Sequence, residues 1–286
     1  MAEILKGAPV AAALSEELTL RVEQLNAAGI HPTLAIVRVG GNDSDLSYER
    51  GADKRCAKVG IAVRKFVLPE DCTQGQLQET IRKVNGDDSI HGCLMFRPLP
   101  KHLDERAACE ALLPEKDVDC ITGGSLQGVF TGERTGYPPC TAQACLEILD
   151  HYGYRLTGKR VTVIGRSLVI GRPVSMMLQS RNATVTMCHT KTVDMPSVCR
   201  GAEILVAAAG KAGVVDETYV APGQTVIDVG INVDGSGKLC GDVAYEQVEP
   251  IVGAITPVPG GVGAVTTAVL AKHVVEAAEK RRKTVC

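Results

Sequence analysis

Four short apolar runs at a spacing of about 20 residues constrain this chain more than any other feature. They cover residues 160–164, 184–188, 203–208 and 225–229. Each is too short for a core helix and is dominated by apolar residues, as strands of a buried parallel sheet are. The intervening segments have room for one helix apiece. The pattern predicts βα units of a doubly wound parallel sheet of Rossmann type.

The first 115 residues alternate in the same way. Leu14, Leu18, Val22 and Leu25 repeat at helical spacing, with Gly29 as a stop. Residues 34–39 read as a buried strand, 47–59 as a helix, and 61–67 as a strand of period two. Thr73 caps a helix to about Asn85, 90–96 is another strand, and 103–112 is helical. A glycine-rich stretch, 123–136, and Pro138-Pro139 then interrupt the pattern, after which Thr141 caps a helix over 142–152. The expected fold class is therefore α/β, with two α/β domains, as 286 residues also suggest.

Composition excludes several classes. A net charge of -2 carries no nucleic-acid footprint, and the one dense basic run is Lys280-Arg281-Arg282-Lys283, read as a solvated, frayed helix end. Eleven cysteines are scattered and odd in number, with no C-x-x-C, so neither a disulfide framework nor a metal site is expected. Free thiols and the lack of a signal-like N-terminus point to a cytoplasmic protein.

Residues 251–271 form 21 consecutive uncharged positions, long enough to imitate a membrane span. Thr256-Pro257-Val258-Pro259-Gly260-Gly261-Val262-Gly263 breaks any such helix, so no membrane partner is expected. Proline stiffens this loop and glycine lets backbone approach a ligand closely. The plainer reading is a buried interdomain turn.

The strand Val161-Thr162-Val163-Ile164 runs into Gly165-Arg166-Ser167, and Gly171 opens a helix with Pro173 in its first turn. A helix N-terminus at that place suits a pyrophosphate. The spacing is not G-x-G-x-x-G, so a βα turn without nucleotide is the competing reading. The second strand ends Cys188-His189-Thr190-Lys191, without the carboxylate that holds NAD ribose hydroxyls. Arg166 and Thr190, with Lys191 nearby, suit a 2′-phosphate instead, which favours NADP; Asp194, close in sequence, keeps NAD open. His189 reads as a backbone partner rather than a catalyst.

Taken together these residues resemble the methylenetetrahydrofolate dehydrogenase/cyclohydrolase (FolD) family over nearly the whole chain. The matches are Val39-Gly40 with Tyr48, Pro98-Leu99-Pro100, Lys116-Asp117-Val118-Asp119, Pro139-Cys140-Thr141, and the 165–173 turn. Asp228-Val229-Gly230-Ile231-Asn232, Gly241-Asp242-Val243 and the 256–263 loop complete them. The resemblance implies a catalytic, folate-binding domain over 1–140, on which a C-terminal helix over 265–283 packs back, and a Rossmann domain over 141–264. Folate would bind in a cleft between them. Tyr48 would pack near the pterin and Asp119 would accept its N–H groups; these two are the implied catalytic residues. Pro257, Pro259, Gly260 and Gly261 would line the substrate site. Gly165, Arg166, Ser167, Gly171, Pro173, Thr190 and Ile231 would bind the dinucleotide. A homodimer through the Rossmann domain is also implied.

The chain departs from the family motif Tyr-x-x-x-Lys-x-Lys at the catalytic lysine, which is Ala52, and from Gln-Leu-Pro-Leu-Pro at the glutamine, which is Phe96. Lys54 lies about 200° from Ala52 around a helix, and Arg55 about 20° from Tyr48, one turn beyond Ala52. Guanidinium stays protonated and shuttles protons poorly. Arg97 should point to the opposite face from Phe96. Hydride transfer from 5,10-methylenetetrahydrofolate needs positioning, whereas hydrolysis of the methenyl product needs proton transfer. The expectation is a dehydrogenase that has lost cyclohydrolase activity; family members without the pair often use NAD. Two alternatives stand beside it: a bifunctional enzyme rescued by Arg55 or a shifted lysine, and a binding module without turnover, since Ala142, Ala264 and Val265 also replace common family residues.

Overall fold

A computed structural model describes residues 1–133 and 135–285, the side chains of Ser44 and 282–285 excepted. The strands are β1 (Glu3–Ile4), β2 (Thr33–Val39), β3 (Ala62–Leu68), β4 (Gly92–Met95), β5 (Arg160–Ile164), β6 (Thr184–Cys188), β7 (Ile204–Ala207), β8 (Thr225–Asp228), β9 (Asn232–Val233), β10 (Leu239–Cys240) and β11 (Ala254–Ile255). The helices are α1 (Gly7–Ala27), α2 (Asp43–Val59), α3 (Gln74–Gly86), α4 (Glu105–Glu110), α5 (Gly123–Thr131), α6 (Cys140–His151), α7 (Gly171–Ser180), α8 (Met195–Arg200), α9 (Tyr245–Val248) and α10 (Thr266–Val285).

The chain divides into two compact units. One joins residues 1–12 to 141–266 and the other joins 13–140 to 267–286. The first is built on a six-stranded sheet of order β1-β11-β8-β7-β5-β6, in which every pairing is parallel. Neighbours of β5 lie on both sides, β6 on one and β7 on the other, so the order reverses there. In such sheets the ligand crevice opens outside the carboxyl ends at that reversal. The four runs picked out by their spacing are the adjacent strands β8, β7, β5 and β6. Strands β1 and β11 are only two residues long and carry no pattern of their own.

The units part after residue 140, and strand β1 changes only the assignment of the first residues, which were expected with the 1–140 domain. Glu3 and Ile4 pair with Ala254 and Ile255, and Ala2 joins the apolar core of Leu205, Val226 and Ile255. Residues 1–12 therefore belong to the Rossmann unit, because backbone pairing outweighs sequence proximity.

The second unit carries a three-stranded parallel sheet, β3-β2-β4. Helix α3 starts at a full capping box, Thr73 with Gln76, and buries Leu77, Ile81 and Val84 at i, i+4 and i+7. Each such burial is worth about 1.5–3 kcal/mol. The glycine-rich stretch read as an interruption contains α5 instead. Thr122 caps it by accepting from Ser125 N–H, and the glycines are there for contact. A Cβ on Gly128 would lie 2.4 Å from Thr135 O, and one on Gly136 would lie 2.1 Å from Ser125 Oγ. Tertiary packing overrides propensity at this point. Helix α10 continues to Val285, past the expected end; of the basic run, the side chains of Arg282 and Lys283 lie outside the described residues.

Candidate functional site

In the unit of β2–β4, helix α2 begins at Asn42, whose side chain accepts from Asp45 N–H, and ends at Gly60 in the left-handed region. Glu49 locks it to the sheet. Its carboxylate meets Arg38 of β2 at 2.9 Å and Lys65 of β3 at 2.8 Å, while Lys65 also reaches Asp53 at 2.6 Å. Burial alone would raise the Glu49 pKa, but these two cations hold it below its ordinary value. The helix thereby presents Tyr48 and, one turn on, Ala52, which is fully buried. The Tyr48 ring meets Phe96 edge to face, with centroids 6.0 Å apart.

The neighbours considered as substitutes for a lysine at 52 are placed elsewhere. Lys54 is exposed. Arg55 donates to Ser15 Oγ at 2.6 Å and to Thr267 Oγ1 at 3.4 Å. Arg97 follows Phe96 but lies 4.0 Å from Glu105 of α4 rather than at Tyr48.

Asp119 follows a tightly tied turn. Asp117 accepts from Ile121 N–H at 2.9 Å and Thr122 N–H at 2.8 Å, and buried Lys116 donates to Val84 O and Asp87 O at the end of α3. Asp119 accepts from Cys140 N–H at 3.2 Å, at the start of α6. Burial pushes its carboxyl up from the ordinary value; Cys140 and the charge of Arg97 oppose that rise, and Asp117 adds to it. Val118 O accepts from the Cys140 thiol at 3.3 Å and from His273 Nδ1–H of α10 at 2.9 Å. Cys140 and His273 were not legible as site supports, since neither lies in a spacing pattern with Asp119.

In the Rossmann unit the cofactor turn has the expected close packing. Gly165 adopts φ +125°, and a Cβ there would lie 2.1 Å from Ala208 O. A Cβ on Gly171 would lie 2.2 Å from Gly165 O. Both positions therefore exclude side chains. Ser167 Oγ accepts from Ile170 N–H at 3.1 Å, shaping the turn ahead of α7, where Pro173 is buried. Arg166 and Thr190 are exposed at the carboxyl ends of β5 and β6. His189 accepts from Lys191 N–H at 3.1 Å through Nδ1, a backbone role.

The 257–263 loop lines a pocket of about 340 Å³ together with Asp228, Gly230, Ile231 and Leu239. That size is within the range of small-molecule sites. Two buried carboxylates shape this rim. Asp242 accepts from the N–H groups of Ala209, Gly210 and Lys211 and from the Asn232 amide, at 2.6–2.9 Å. Asp228 accepts from Gly230, Asp242 and Val243 N–H, and its own N–H donates to Thr256 Oγ1 at 2.8 Å. The loops after β7, β8 and β11 are thus tied to one another. Gly7, unmarked by its sequence context, is part of the support: its N–H donates to Gly260 O at 2.8 Å, and a Cβ would lie 2.1 Å from Gly261 O.

Among the described residues no group of three or more His, Cys, Asp or Glu is arranged to hold a metal ion, and no helix is long and apolar enough to cross a membrane.

Comparison with known proteins accounts for both units. Residues 5–119 match the catalytic domain of tetrahydrofolate dehydrogenase/cyclohydrolase, and residues 139–282 match its NAD(P)-binding domain. The chain is 54% identical to the bifunctional protein FolD of Carboxydothermus hydrogenoformans, over 98% of each chain. It superposes with a TM-score of 0.95 on the bifunctional FolD enzyme of Campylobacter jejuni, at 37% identity over 98% of this chain and 100% of that one. With the Trypanosoma brucei enzyme, solved with NADP cofactor and inhibitor, the TM-score is 0.90 at 35% identity, over 98% of each chain. On these matches, and on the two units just described, the chain belongs to the tetrahydrofolate dehydrogenase/cyclohydrolase family.

Proposed function

We propose that this protein oxidises 5,10-methylenetetrahydrofolate to 5,10-methenyltetrahydrofolate, passing the hydride to NADP, with NAD as the alternative acceptor, and that it has lost useful cyclohydrolase activity. One observation carries the second half. Where proton transfer would need a cation, the chain has a fully buried Ala52, and where a glutamine would orient that cation it has the Phe96 ring against Tyr48. General acid–base catalysis is typically worth about 10²–10⁴-fold, which is what hydrolysis would forfeit. Hydride transfer requires chiefly that donor and acceptor be held in register.

The cofactor turn fits a dinucleotide, because Gly165 and Gly171 leave bare backbone where a Cβ would collide. Nicotinamide, when bound, supplies the hydride acceptor. Gly165, Ser167, Gly171 and Pro173 would seat the pyrophosphate at the start of α7, and Arg166 and Thr190 the 2′-phosphate. Asp119 would hold the pterin N–H groups and Tyr48 would flank the ring. Ile231, Pro257, Pro259, Gly260 and Gly261 would line the pocket for the reacting rings. Pairing into a homodimer through the Rossmann unit is part of the same reading, supported by β6 as an edge strand of its sheet. A cytoplasmic location is supported by ten free thiols among the described cysteines.

A second reading has its own support: the relative at 54% identity is named bifunctional. One assay separates the two. Purified protein is mixed with 5,10-methylenetetrahydrofolate and NAD or NADP, and reduced nicotinamide and methenyl-folate are followed together. Reduced cofactor with accumulating methenyl-folate is expected. Rapid passage to 10-formyltetrahydrofolate establishes the bifunctional reading instead, and no reduction with either dinucleotide removes both.

A further inference from the structure

At the amino ends of β5, β7 and β8 the Rossmann unit holds a second cavity, of about 460 Å³, within the size range of small-molecule sites. Arg160, Ile204 and Thr225, the first residues of those strands, line it. The dinucleotide turn lies at the other end of β5, about 15 Å away at roughly 3.3 Å per residue. Three cations and one carboxylate line the cavity: Lys159, Arg160, Arg200 and Glu203. The carboxylate is already committed, with Lys159 Nζ on one oxygen at 2.7 Å and Arg160 N–H on the other at 3.1 Å. Each guanidinium is anchored by one backbone carbonyl, Arg160 through Nε to Gly201 O at 3.0 Å and Arg200 through Nη1 to Thr218 O. Among the described residues their other N–H groups make no hydrogen bond. The lining thus carries an excess of two positive charges in a chain whose net charge is -2. Tyr154 adds a neutral donor. Its hydroxyl accepts from Thr225 Oγ1 at 3.2 Å, and burial, with the charge of Glu3, raises its pKa, so its own proton stays free to donate. An anchored guanidinium has already lost much of its rotamer freedom, so it presents a fixed fork to an oxyanion.

We propose that this cavity is a second ligand site, separate from the dinucleotide crevice, for a small molecule carrying a multiply charged oxyanion group. Arg160 and Arg200 supply paired N–H donors to its oxygens, and the Tyr154 hydroxyl supplies a third contact. Planar forks of this kind match phosphate and carboxylate oxygens alike, so the charged oxygens are recognised rather than one scaffold. Lys159 stays with Glu203 and keeps that carboxylate from competing for the guanidiniums. Every residue of the site belongs to the Rossmann unit, and none is among those assigned to folate or dinucleotide. The inference therefore stands apart from the reading given under Proposed function.

The test is calorimetry with inorganic pyrophosphate and with citrate, on wild-type protein, Arg160→Gln, Arg200→Gln and Tyr154→Phe. Excess NADP is present to occupy the crevice at the other end of the sheet. Wild-type protein is expected to bind at least one of the two anions with a Kd below about 1 mM. Loss of one charged hydrogen bond corresponds to about 10–100-fold in affinity, so each arginine variant should weaken binding by that factor, and Tyr154→Phe by less. Binding of pyrophosphate alone identifies a phosphorylated ligand, and binding of citrate alone a polycarboxylate. The dehydrogenase kcat of the arginine variants should stay within about twofold of wild type. No binding of either anion, or equal binding by wild type and both arginine variants, overturns the proposal. If NADP itself does not bind, the functional reading falls, and the comparison of variants still judges this site.

Discussion

The Tyr48 and Phe96 rings meet edge to face, with centroids 6.0 Å apart and planes at 83°. The contact joins helix α2 to the end of β4 and fills with apolar surface a place where the family motif puts a polar pair. Ala52, one turn after Tyr48 on the same helix, is completely buried. Substituting the two positions together is therefore a packing change as well as a chemical one.

Restoring the pair tests this directly. Ala52→Lys alone forces a long side chain into a fully buried position one turn from Tyr48, and overpacking of that kind costs about 1–3 kcal/mol. The single variant should melt at lower temperature and hydrolyse methenyltetrahydrofolate no faster. With Phe96→Gln added, the ring is removed and an amide can orient the ammonium. Hydrolysis, followed by loss of methenyl absorbance, should then rise by about tenfold or more, toward the 10²–10⁴ range of acid–base catalysis. Equal rates in the single and double variants would show that the positions do not act together.

Arg55 is expected to be structural. It is held by Ser15 and Thr267, and burial lowers its pKa. Arg55→Ala should cost about 1.5–3 kcal/mol in urea unfolding, the range for hydrogen bonds made by a charged group. Methenyl hydrolysis should be unchanged. A fall in hydrolysis without a fall in stability would give Arg55 the catalytic part denied to it here.

Gly171→Ala should disable the cofactor turn and spare folate. The added Cβ meets Gly165 O at 2.2 Å, so the backbone in front of α7 must move. NADP binding measured by calorimetry should weaken by at least about tenfold, more than 1.4 kcal/mol. Tetrahydrofolate binding to the same preparation reports whether the change is local.

Two buried histidines make stability fall in acid. His273 donates to Val118 O through Nδ1, and His91 accepts from Thr33 N–H at 3.3 Å; burial holds both pKa values down, to about 4. The unfolded chain, at about 6.5, binds more protons between those values, so stability is full above pH 6.5 and is lost as pH falls toward 4. Each group accounts for up to about 3 kcal/mol. Urea unfolding at pH 7 and pH 4.5 should show the loss. His273→Gln, which can still donate to Val118 O, should reduce it; an undiminished loss in that variant would place the acid sensitivity elsewhere.

The strands of the Rossmann unit were readable because β7 and β8 are buried along their whole length, and short apolar runs recur there about every 20 residues. The glycines at 165 and 171 were readable for a similar reason: backbone in close approach tolerates no other residue. Strand β1 was not. Glu3 and Ile4 have no pattern, and only their pairing with Ala254 and Ile255 assigns them to the Rossmann sheet. Helix α5 was missed because its glycines argue against a helix locally, while Ser125 and Gly128 pack inward against the returning chain.

Within the site the same division holds. The resemblance to the family motifs marked Ala52 and Phe96 as departures and Asp119 as a candidate carboxylate, and the prolines and glycines of 256–263 marked that loop as bare, stiff backbone. Tertiary structure alone decided that Phe96 meets Tyr48 edge to face, that Arg55 is held by Ser15 and Thr267, and that Arg97 lies by Glu105 of α4. Those relationships depend on distances between segments far apart in sequence, which are set when the sheet and its helices pack and which no local pattern encodes.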